Sequence, residues 1–240
     1  AYGTVQFGFK DDIFTVNPKR VLEFCRLLKD AKLNVKWDCN ARVNLIDERL
    51  LAEMKSAGCN GIKIGIESGS DRVLKDVMKK NITVAQVRRA AELIHKAGIH
   101  WTGYFMMGIP TETEGEMLQT LELMRQLKPD FASLSVYEPL PGTQLFDAGV
   151  ATGEVTDNRT LEDYCAISPK YYYFADLNSR IDTMTDDRFR RIERFMKTTF
   201  HKYNRSPARV FKRARARSAL YLNKPAALLD DFRKFLAWLR

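Results

Sequence analysis

Short apolar segments alternate with helical patterns along the first part of the chain. The predicted strands are Val5–Phe9, Val35–Asn40, Ile62–Ile66, Ile99–Met107 and Phe131–Tyr137. They begin roughly thirty residues apart, which is the spacing of βαβ units in a parallel sheet. Because such crossovers are nearly always right-handed, consecutive units curl the same way. The pattern therefore predicts an α/β fold, a partial parallel (β/α) barrel with a helical extension after it.

The segments between these strands carry signals for helix starts and stops. N-caps or capping boxes are predicted at Asn17 before Pro18, at Asp47, at Thr83 with Gln86 and at Thr113 with Glu116. Gly98 ends one of these helices, since glycine tolerates the left-handed conformation. Further helices are predicted over residues 71–80, 186–203 and 226–239.

The pattern divides the chain into three parts. Residues 1–149 are predicted to form the barrel core. Residues 150–203 are predicted to be an irregular segment, with the aromatic run YYYF at 171–174, followed by a helix that packs on the barrel. Residues 204–240 are predicted to be a basic, amphipathic helical tail in which Pro207 ends the preceding helix.

The charge of the chain is concentrated in its last forty residues. Residues 201–240 hold eleven of the 39 lysines and arginines and two of the 30 acidic residues, which leaves 28 of each sign in the rest. The whole surplus of +9 therefore belongs to this segment. Two interpretations stay open. Residues 205–239 could bind an anionic partner, either RNA or a membrane surface, or the helix could pack on the barrel with its arginines in solvent.

The four cysteines are too far apart for a metal or redox motif. Cys25, Cys39, Cys59 and Cys165 are each at least 14 residues from the next, which excludes zinc ribbons, CxxC motifs and iron–sulfur loops within this chain. Free thiols are therefore predicted. The chain has no apolar run long enough to span a membrane and does not start with a secretory signal. These features predict a cytoplasmic protein, and the tail adds the alternative of a peripheral position at the membrane.

Polar residues and glycine collect where the predicted strands end. The candidates are Asp11 and Asp12, Asn40 and Arg42, Glu67 and Ser68, Gly108, and Tyr137 with Glu138. Ligands of parallel α/β folds bind at the carboxyl ends of the strands. Carboxylates and an arginine on one rim suit a small zwitterionic molecule. Structural explanations also exist, since Asp12 could begin a turn and Glu67 could pair with Arg42.

Five segments resemble the radical SAM (S-adenosylmethionine) superfamily, and most closely its cobalamin-binding branch. They are FKDDIFT at 9–15, WDCNAR at 37–42, AGCNGIKIGIESGS at 57–70, FMMGIPTET at 105–113 and PLPGT at 139–143. Their order and spacing match the family between about residues 5 and 145. The resemblance implies a partial barrel of six strands, of which this chain contains the second to the sixth.

The resemblance also implies roles for the candidate residues. Asp11 and Asp12 would hold the methionine amino group of SAM, and Arg42 would face its carboxylate. The remaining candidate contacts are Glu67 and Ser68 at the ribose, Gly108 and Ile109 along the adenine, and Asn40 and Tyr137 at neighbouring strand ends. In the family, an iron–sulfur cluster bound by CxxxCxxC after the first strand cleaves SAM.

This chain departs from the family pattern in lacking those cysteines. It also lacks an initiator methionine and an upstream cobalamin domain, so an N-terminal truncation is expected. The parent protein is then a radical SAM enzyme for methyl transfer or oxidative cyclisation of a small-molecule substrate. Its iron–sulfur cluster and cobalamin would not bind this chain, which is expected to be inactive without its missing N-terminal part. The alternative is a barrel without a cluster that serves as a binding or scaffold protein.

Overall fold

The described part of the chain is built around one five-stranded parallel sheet. The computed structural model describes residues 6–156, 160, 162, 176–177, 182–216, 218–223 and 225–239. The strands are β1 (Gln6–Gly8), β2 (Lys36–Ala41), β3 (Cys59–Glu67), β4 (His100–Met107) and β5 (Phe131–Val136). Their spatial order equals their sequence order and every pair is parallel. The predicted half-barrel is therefore confirmed, because a doubly wound sheet would reverse its strand order.

Helices follow the strands as the caps predicted. They are α1 (Pro18–Asp30), α2 (Glu48–Ser56), α3 (Val84–Ala97) and α4 (Glu114–Leu127). The Asn17 and Asp47 side chains accept hydrogen bonds from backbone amides three residues ahead. Both capping boxes are formed, and Gly98 ends α3 in the left-handed conformation. Short 3-10 turns lie at Phe14–Val16 and Val43–Leu45.

Side chains alternate between the two faces of the sheet. One face is apolar and packs with the helices in a single core, which includes Trp37, Ile64, Phe105 and Leu51. The Trp37 indole stacks edge-on with Phe9 and donates to the Ala57 carbonyl oxygen at 2.9 Å. Each fully buried aliphatic side chain contributes about 1.5–3 kcal/mol to stability. The other face is polar and half-exposed, as expected for the inside of an open barrel.

Two predictions about the middle of the chain are corrected. The helix predicted over residues 71–80 is shorter and contains a π-helix, Val73–Val77, in which the Met78 amide donates to the Val73 carbonyl oxygen five residues back. Lys79 and Asn81 then adopt positive φ and end it. Beyond β5, helix α5 (Gln144–Thr152) crosses residue 149 into the segment predicted to be irregular. Two short antiparallel strands, β6 (Val155–Thr156) and β7 (Asp176–Leu177), follow. The YYYF run and Cys165 lie outside the described residues.

The C-terminal part is helical, as predicted. Its helices are α6 (Asp186–Arg205), α7 (Pro207–Ala216), α8 (Ser218–Asn223) and α9 (Pro225–Leu239). Helix α6 runs two residues past the predicted boundary, and Phe189, Met196 and Phe200 join the core beside β5. Pro207 is the first residue of α7, a position where its missing N–H costs nothing. In the described ranges, none of the helices combines the length and the apolar character needed to span a membrane.

Helix α6 also covers the outer edge of β5. The Asn204 side chain donates to the Ala132 carbonyl oxygen at 2.7 Å and accepts from the Ala132 amide at 2.9 Å. Asn204 and Ala132 are both buried. The amide of Asn204 therefore takes the place of a peptide unit in a neighbouring strand, and the edge is not left bare.

Candidate active site at the carboxyl ends of the strands

The ends of β1 and β2 bring together three of the predicted residues. The Asn40 side chain donates to the Asp11 carbonyl oxygen at 3.0 Å, which ties the loop after β1 to β2. The Asp11 carboxylate pairs with Arg20 at 3.4 Å. Asp12 is exposed. Of the two carboxylates, Asp12 is therefore the one that a ligand could reach without displacing this ion pair.

Glu67 ends β3 in a strained turn. Its φ is +69°, and the Ser68 amide donates to the Ile66 carbonyl oxygen at 3.0 Å across it. A three-residue turn with positive φ at its centre is rare and strained, and such strain collects at functional sites. The pairing of β3 with β4 also shifts register between Gly65 and Glu67. The shift and the turn together set the direction of the Glu67 side chain.

Lys80 is the partner of Glu67. Its ammonium pairs with the Glu67 carboxylate and donates to the Gly65 carbonyl oxygen at 3.0 Å. A Cβ atom at Gly65 would lie 2.3 Å from the Glu67 carboxylate and 3.0 Å from the Lys80 ammonium, so a larger residue there would displace this pair. The Arg42 guanidinium donates to the Lys80 carbonyl oxygen at 2.5 Å. The alternative in which Glu67 pairs with Arg42 is therefore wrong. Arg42 instead holds the backbone of Lys80, the residue that pairs with Glu67.

Ser68 lies apart from this pair. It is fully buried, and its hydroxyl accepts from the Ser70 amide at 3.1 Å and lies 3.4 Å from the Thr120 hydroxyl of α4. A Cβ atom at Gly69 would lie 2.5 Å from the backbone of Gln119. The Ser-Gly-Ser segment is thus the contact between the β3 loop and α4, while only Glu67 faces the rim.

The loop after β4 is shaped by a carboxylate that the sequence analysis did not single out. Glu112 is fully buried and accepts from the amides of Gly108 at 2.7 Å and Ile109 at 3.2 Å. Burial raises the pKa of Glu112 to about 7, against the opposing effect of the two amides. Gly108 has a φ of +73°, and a Cβ atom there would lie 2.9 Å from the Phe189 ring. Ile109 is buried under this turn.

The β3 and β4 loops are held together by a second, partly exposed hydrogen-bond network. Arg72 donates from Nε and Nη2 to the two carboxylate oxygens of Glu116, at 2.8 and 2.7 Å. Arg72 also donates to the Thr111 carbonyl oxygen at 2.7 Å, and the Ser70 hydroxyl donates to Glu116 at 2.8 Å. The hydrogen bonds from Arg72 and its neighbours lower the pKa of Glu116 to about 2. Such a bidentate pair fixes the two loops relative to each other.

Tyr137 continues from the end of β5. Its amide donates to the Met107 carbonyl oxygen at 2.8 Å, which extends the β4–β5 pairing by one residue. Burial raises the pKa of its hydroxyl. Tyr137 therefore stands next to the Gly108 turn, on the same side of the sheet ends.

The polar face of the sheet forms a trough below this rim. Asp38 of β2 pairs with Lys63 of β3 in its middle. Tyr104 of β4 is 40% exposed and is flanked by Gly65 on β3 and Ser133 on β5, its partners in register. The small neighbours leave the tyrosine ring as the largest side chain of this part of the trough. At the amino ends of the strands lies a cavity of about 260 Å³, lined by residues that include Asp38, Lys63, His100, Thr102, Phe131 and Arg213.

The described residues do not form a metal centre. Within the described ranges, no group of three or more His, Cys, Asp or Glu side chains could hold a metal ion. Cys25, Cys39 and Cys59 are free and buried, and all three belong to the core. Burial raises the pKa of Cys25 to about 11, so its thiolate is suppressed at neutral pH. These cysteines do not fit an iron–sulfur cluster.

Comparison with known proteins agrees with this geometry. The model of the Radical SAM superfamily matches residues 3–124. An uncharacterized methyltransferase of Pyrococcus horikoshii is 35% identical over 150 residues, which are 62% of this chain and 32% of that protein. An anaerobic magnesium-protoporphyrin IX monomethyl ester cyclase of Rubrivivax gelatinosus is 32% identical over 165 residues, or 68% of this chain and 29% of that protein. The chain thus spans about a third of the length of these relatives.

A solved structure shares the fold. The radical S-adenosylmethionine methyltransferase TsrM from Kitasatospora setae, with cobalamin and a 4Fe–4S cluster bound, superimposes with a TM-score of 0.57 at 17% identity. The match covers 65% of this chain and 33% of that one. At this identity the likeness concerns the fold, and it agrees with the five parallel strands and the crossover helices described above.

Proposed function

The chain belongs to the radical SAM superfamily, and we propose that it is the later part of an enzyme that binds SAM across the carboxyl ends of β1–β5. The observation that carries this proposal is the Glu67–Lys80 pair, set on a strained turn at the end of β3. Strain of this kind persists only where the surrounding structure enforces it, and it is typical of ligand-binding sites.

The residues of the rim fit a zwitterionic nucleoside such as SAM. In this proposal the Lys80 ammonium is shared with the ligand carboxylate, a role that the sequence analysis gave to Arg42. Glu67 accepts from ribose hydroxyls, and Asp12 accepts from the amino group. The turn at Gly108 and Ile109, held by Glu112, lets the backbone approach a flat ring. Ser68 acts behind this surface by positioning the β3 loop on α4.

Together with an iron–sulfur cluster, SAM supplies the radical that starts the reaction in this family. The described cysteines do not fit that cluster, so in the proposal its ligands come from a part of the full-length protein beyond these 240 residues. The residues of this chain bind and orient SAM and form the wall of the substrate cavity. By itself the chain is proposed to be inactive.

The reaction is proposed to be methyl transfer or oxidative cyclisation of a small molecule. This rests on the two relatives above, a methyltransferase and a cyclase. Cobalamin, which is bound in the TsrM structure, is proposed as a second cofactor of the full-length protein. In the proposal the substrate lies in the trough against Tyr104. A membrane surface or RNA as the partner of residues 205–239 also stays a prediction. So does the missing N-terminal part of the same protein.

The first test is to sequence the natural gene upstream of the codon for Ala1. A CxxxCxxC motif within a few tens of residues, about one βα unit, is the expected result. A start codon at that place, with no such cysteines, would overturn the proposal. It would favour the alternative of a barrel that binds a small molecule without radical chemistry.

The second test measures SAM binding by calorimetry on the anaerobically reconstituted full-length protein. The variants Lys80→Met and Glu67→Gln are compared with Lys29→Met and Glu53→Gln, which break an ion pair of 2.6 Å between α1 and α2, away from the rim. We expect the rim variants to weaken SAM binding about tenfold or more, since a charged partner is lost, and the control variants to leave it unchanged. Equal affinities in the two sets would refute the assignment.

A further inference from the structure

The three helices after α6 expose several large apolar side chains. Among the described side chains beyond Asn204, none is buried. Phe211 is 70% exposed, Leu222 is 83% exposed and Leu229 is 60% exposed. Short helices gain most of their stability from packing of an apolar face. Exposed apolar residues that collect in one segment of a folded protein indicate a surface that binds a partner.

One side of α7 anchors these helices to the barrel. Arg209 lies over the Tyr203 ring, 3.5 Å from its centroid, and Lys212 pairs with the buried Asp130 at 2.5 Å. Arg213 donates to the Asp130 carbonyl oxygen at 3.2 Å and to the Asn204 carbonyl oxygen at 2.7 Å. Although burial opposes its ionisation, the hydrogen bonds from His100, Lys212 and an amide lower the pKa of Asp130 to about 2. The interpretation that all tail arginines are solvated is therefore wrong.

The anchor determines which side chains of α7 face away from the barrel. Phe211 and Arg215, four residues apart and thus neighbours on the helix surface, are both exposed. The Tyr221 hydroxyl donates to the Asp231 carboxylate at 2.8 Å and joins α8 to α9. On α9 the exposed residues Leu228, Leu229 and Phe232 follow the one-face spacing of an amphipathic helix.

We propose that α7, α8 and α9 form a docking surface for a membrane with anionic headgroups. The segment combines exposed aliphatic and aromatic side chains with eight lysines and arginines against two aspartates over residues 207–239, a net charge of +6. Both features favour the plane of an anionic bilayer surface, where apolar groups enter the acyl boundary and cations meet headgroups. The 15-residue α9 rises about 22 Å, which suits a helix that lies in this plane. Of the five large apolar side chains exposed on these helices in the described residues, three are leucines, which do not stack on bases, so RNA fits this surface less well.

Vesicle flotation of the 240-residue chain tests this proposal without reference to catalysis. The vesicles are phosphatidylcholine with and without phosphatidylglycerol, at increasing NaCl. We expect binding that requires the anionic lipid and falls with salt. The double variants Leu228→Ser with Leu229→Ser, and Arg215→Glu with Arg233→Glu, are each expected to weaken binding about tenfold or more. Matched controls outside the segment are Leu33→Ser and Arg88→Glu, which replace exposed residues of the barrel part.

Four outcomes would overturn the proposal. The first is absence of flotation with anionic vesicles, and the second is equal flotation of segment variants and controls. The third is salt-sensitive binding of a single-stranded RNA oligonucleotide without vesicle binding, which would make the surface a nucleic-acid site. The fourth is a dimer in light scattering that the leucine variants dissolve, again without vesicle binding. Circular dichroism of each variant establishes that loss of binding is not loss of folding.

Discussion

Replacing Asn204 by alanine removes the side chain that closes the edge of β5. The wild-type amide makes two hydrogen bonds to one residue, with the Ala132 carbonyl oxygen at 2.7 Å and the Ala132 amide at 2.9 Å. Ala132 is 2% exposed. Alanine at position 204 is too short to reach either group, so a backbone donor and a backbone acceptor lose their partners in a buried place.

The magnitude follows from these two groups. A buried polar group left without a partner costs about 1–3 kcal/mol, and partial entry of water reduces the cost. We therefore expect Asn204→Ala to lower the free energy of unfolding by about 2–4 kcal/mol. Asn204→Asp is a sharper variant, because an ionised carboxylate can accept from the Ala132 amide but faces the Ala132 carbonyl oxygen. Asn204→Asp should be as destabilised as Asn204→Ala at neutral pH and should recover part of its stability as the introduced carboxyl is protonated.

Urea unfolding followed by tryptophan fluorescence measures this effect, since Trp37 and Trp101 are both in the core. The matched control is Asn34→Ala, which removes the same amide from an exposed loop position. We expect the control to stay within about 0.5 kcal/mol of wild type. If Asn204→Ala and Asn34→Ala unfolded at the same urea concentration, the idea that Asn204 replaces a strand partner would be refuted.

Three further outcomes are expected. Burial raises the pKa of Glu112 from 4.5 to about 7, so its contribution to stability is present at low pH and is lost as pH rises through about 7. The free energy of unfolding of Glu112→Gln, measured in urea, should lack this pH dependence. A pH dependence equal to that of the wild type would contradict the assignment. Gly108→Ala should lower the free energy of unfolding more than Gly142→Ala does in the same assay. Both glycines have positive φ, which costs an alanine about 1–2 kcal/mol. Only at Gly108 would the new Cβ atom also lie 2.9 Å from the Phe189 ring. In the full-length enzyme, Tyr104→Ala should lower kcat/KM for the substrate while Tyr104→Phe retains it; unchanged kcat/KM in the alanine variant would place the substrate elsewhere.

Local signals in the sequence determined much of the fold. The caps at Asn17, Asp47, Thr83 and Thr113 are satisfied within three residues of chain, so their prediction needed no tertiary information. The five strands and their parallel order were predicted from short apolar segments that alternate with helical patterns along the chain. One readable signal was missed. Polar and apolar residues alternate in KWDCNA, which already indicates a strand with one apolar face and one polar face.

The site itself depended on distances that the sequence does not contain. Its rim was predictable, because strand ends meet at one edge of any parallel sheet. The partner of Glu67 was not, since Lys80 lies 13 residues away beyond a π-helix and reaches the carboxylate only through that irregular turn. Ser68 stands next to Glu67 in the chain, yet Ser68 is fully buried against α4 while the Glu67 carboxylate pairs with Lys80.

The sequence by itself thus determined the elements, their order and the edge at which a ligand can bind, because these follow from contacts over one helical turn or one strand. Only the tertiary structure decided which charges pair, that Ser68 is buried beside the exposed rim, and that Asn204 closes the sheet 72 residues after Ala132. It also decided that Arg209, Lys212 and Arg213 bind the barrel while Phe211 stays in solvent. Such choices depend on the packing of elements distant in sequence, and no local pattern encodes that geometry.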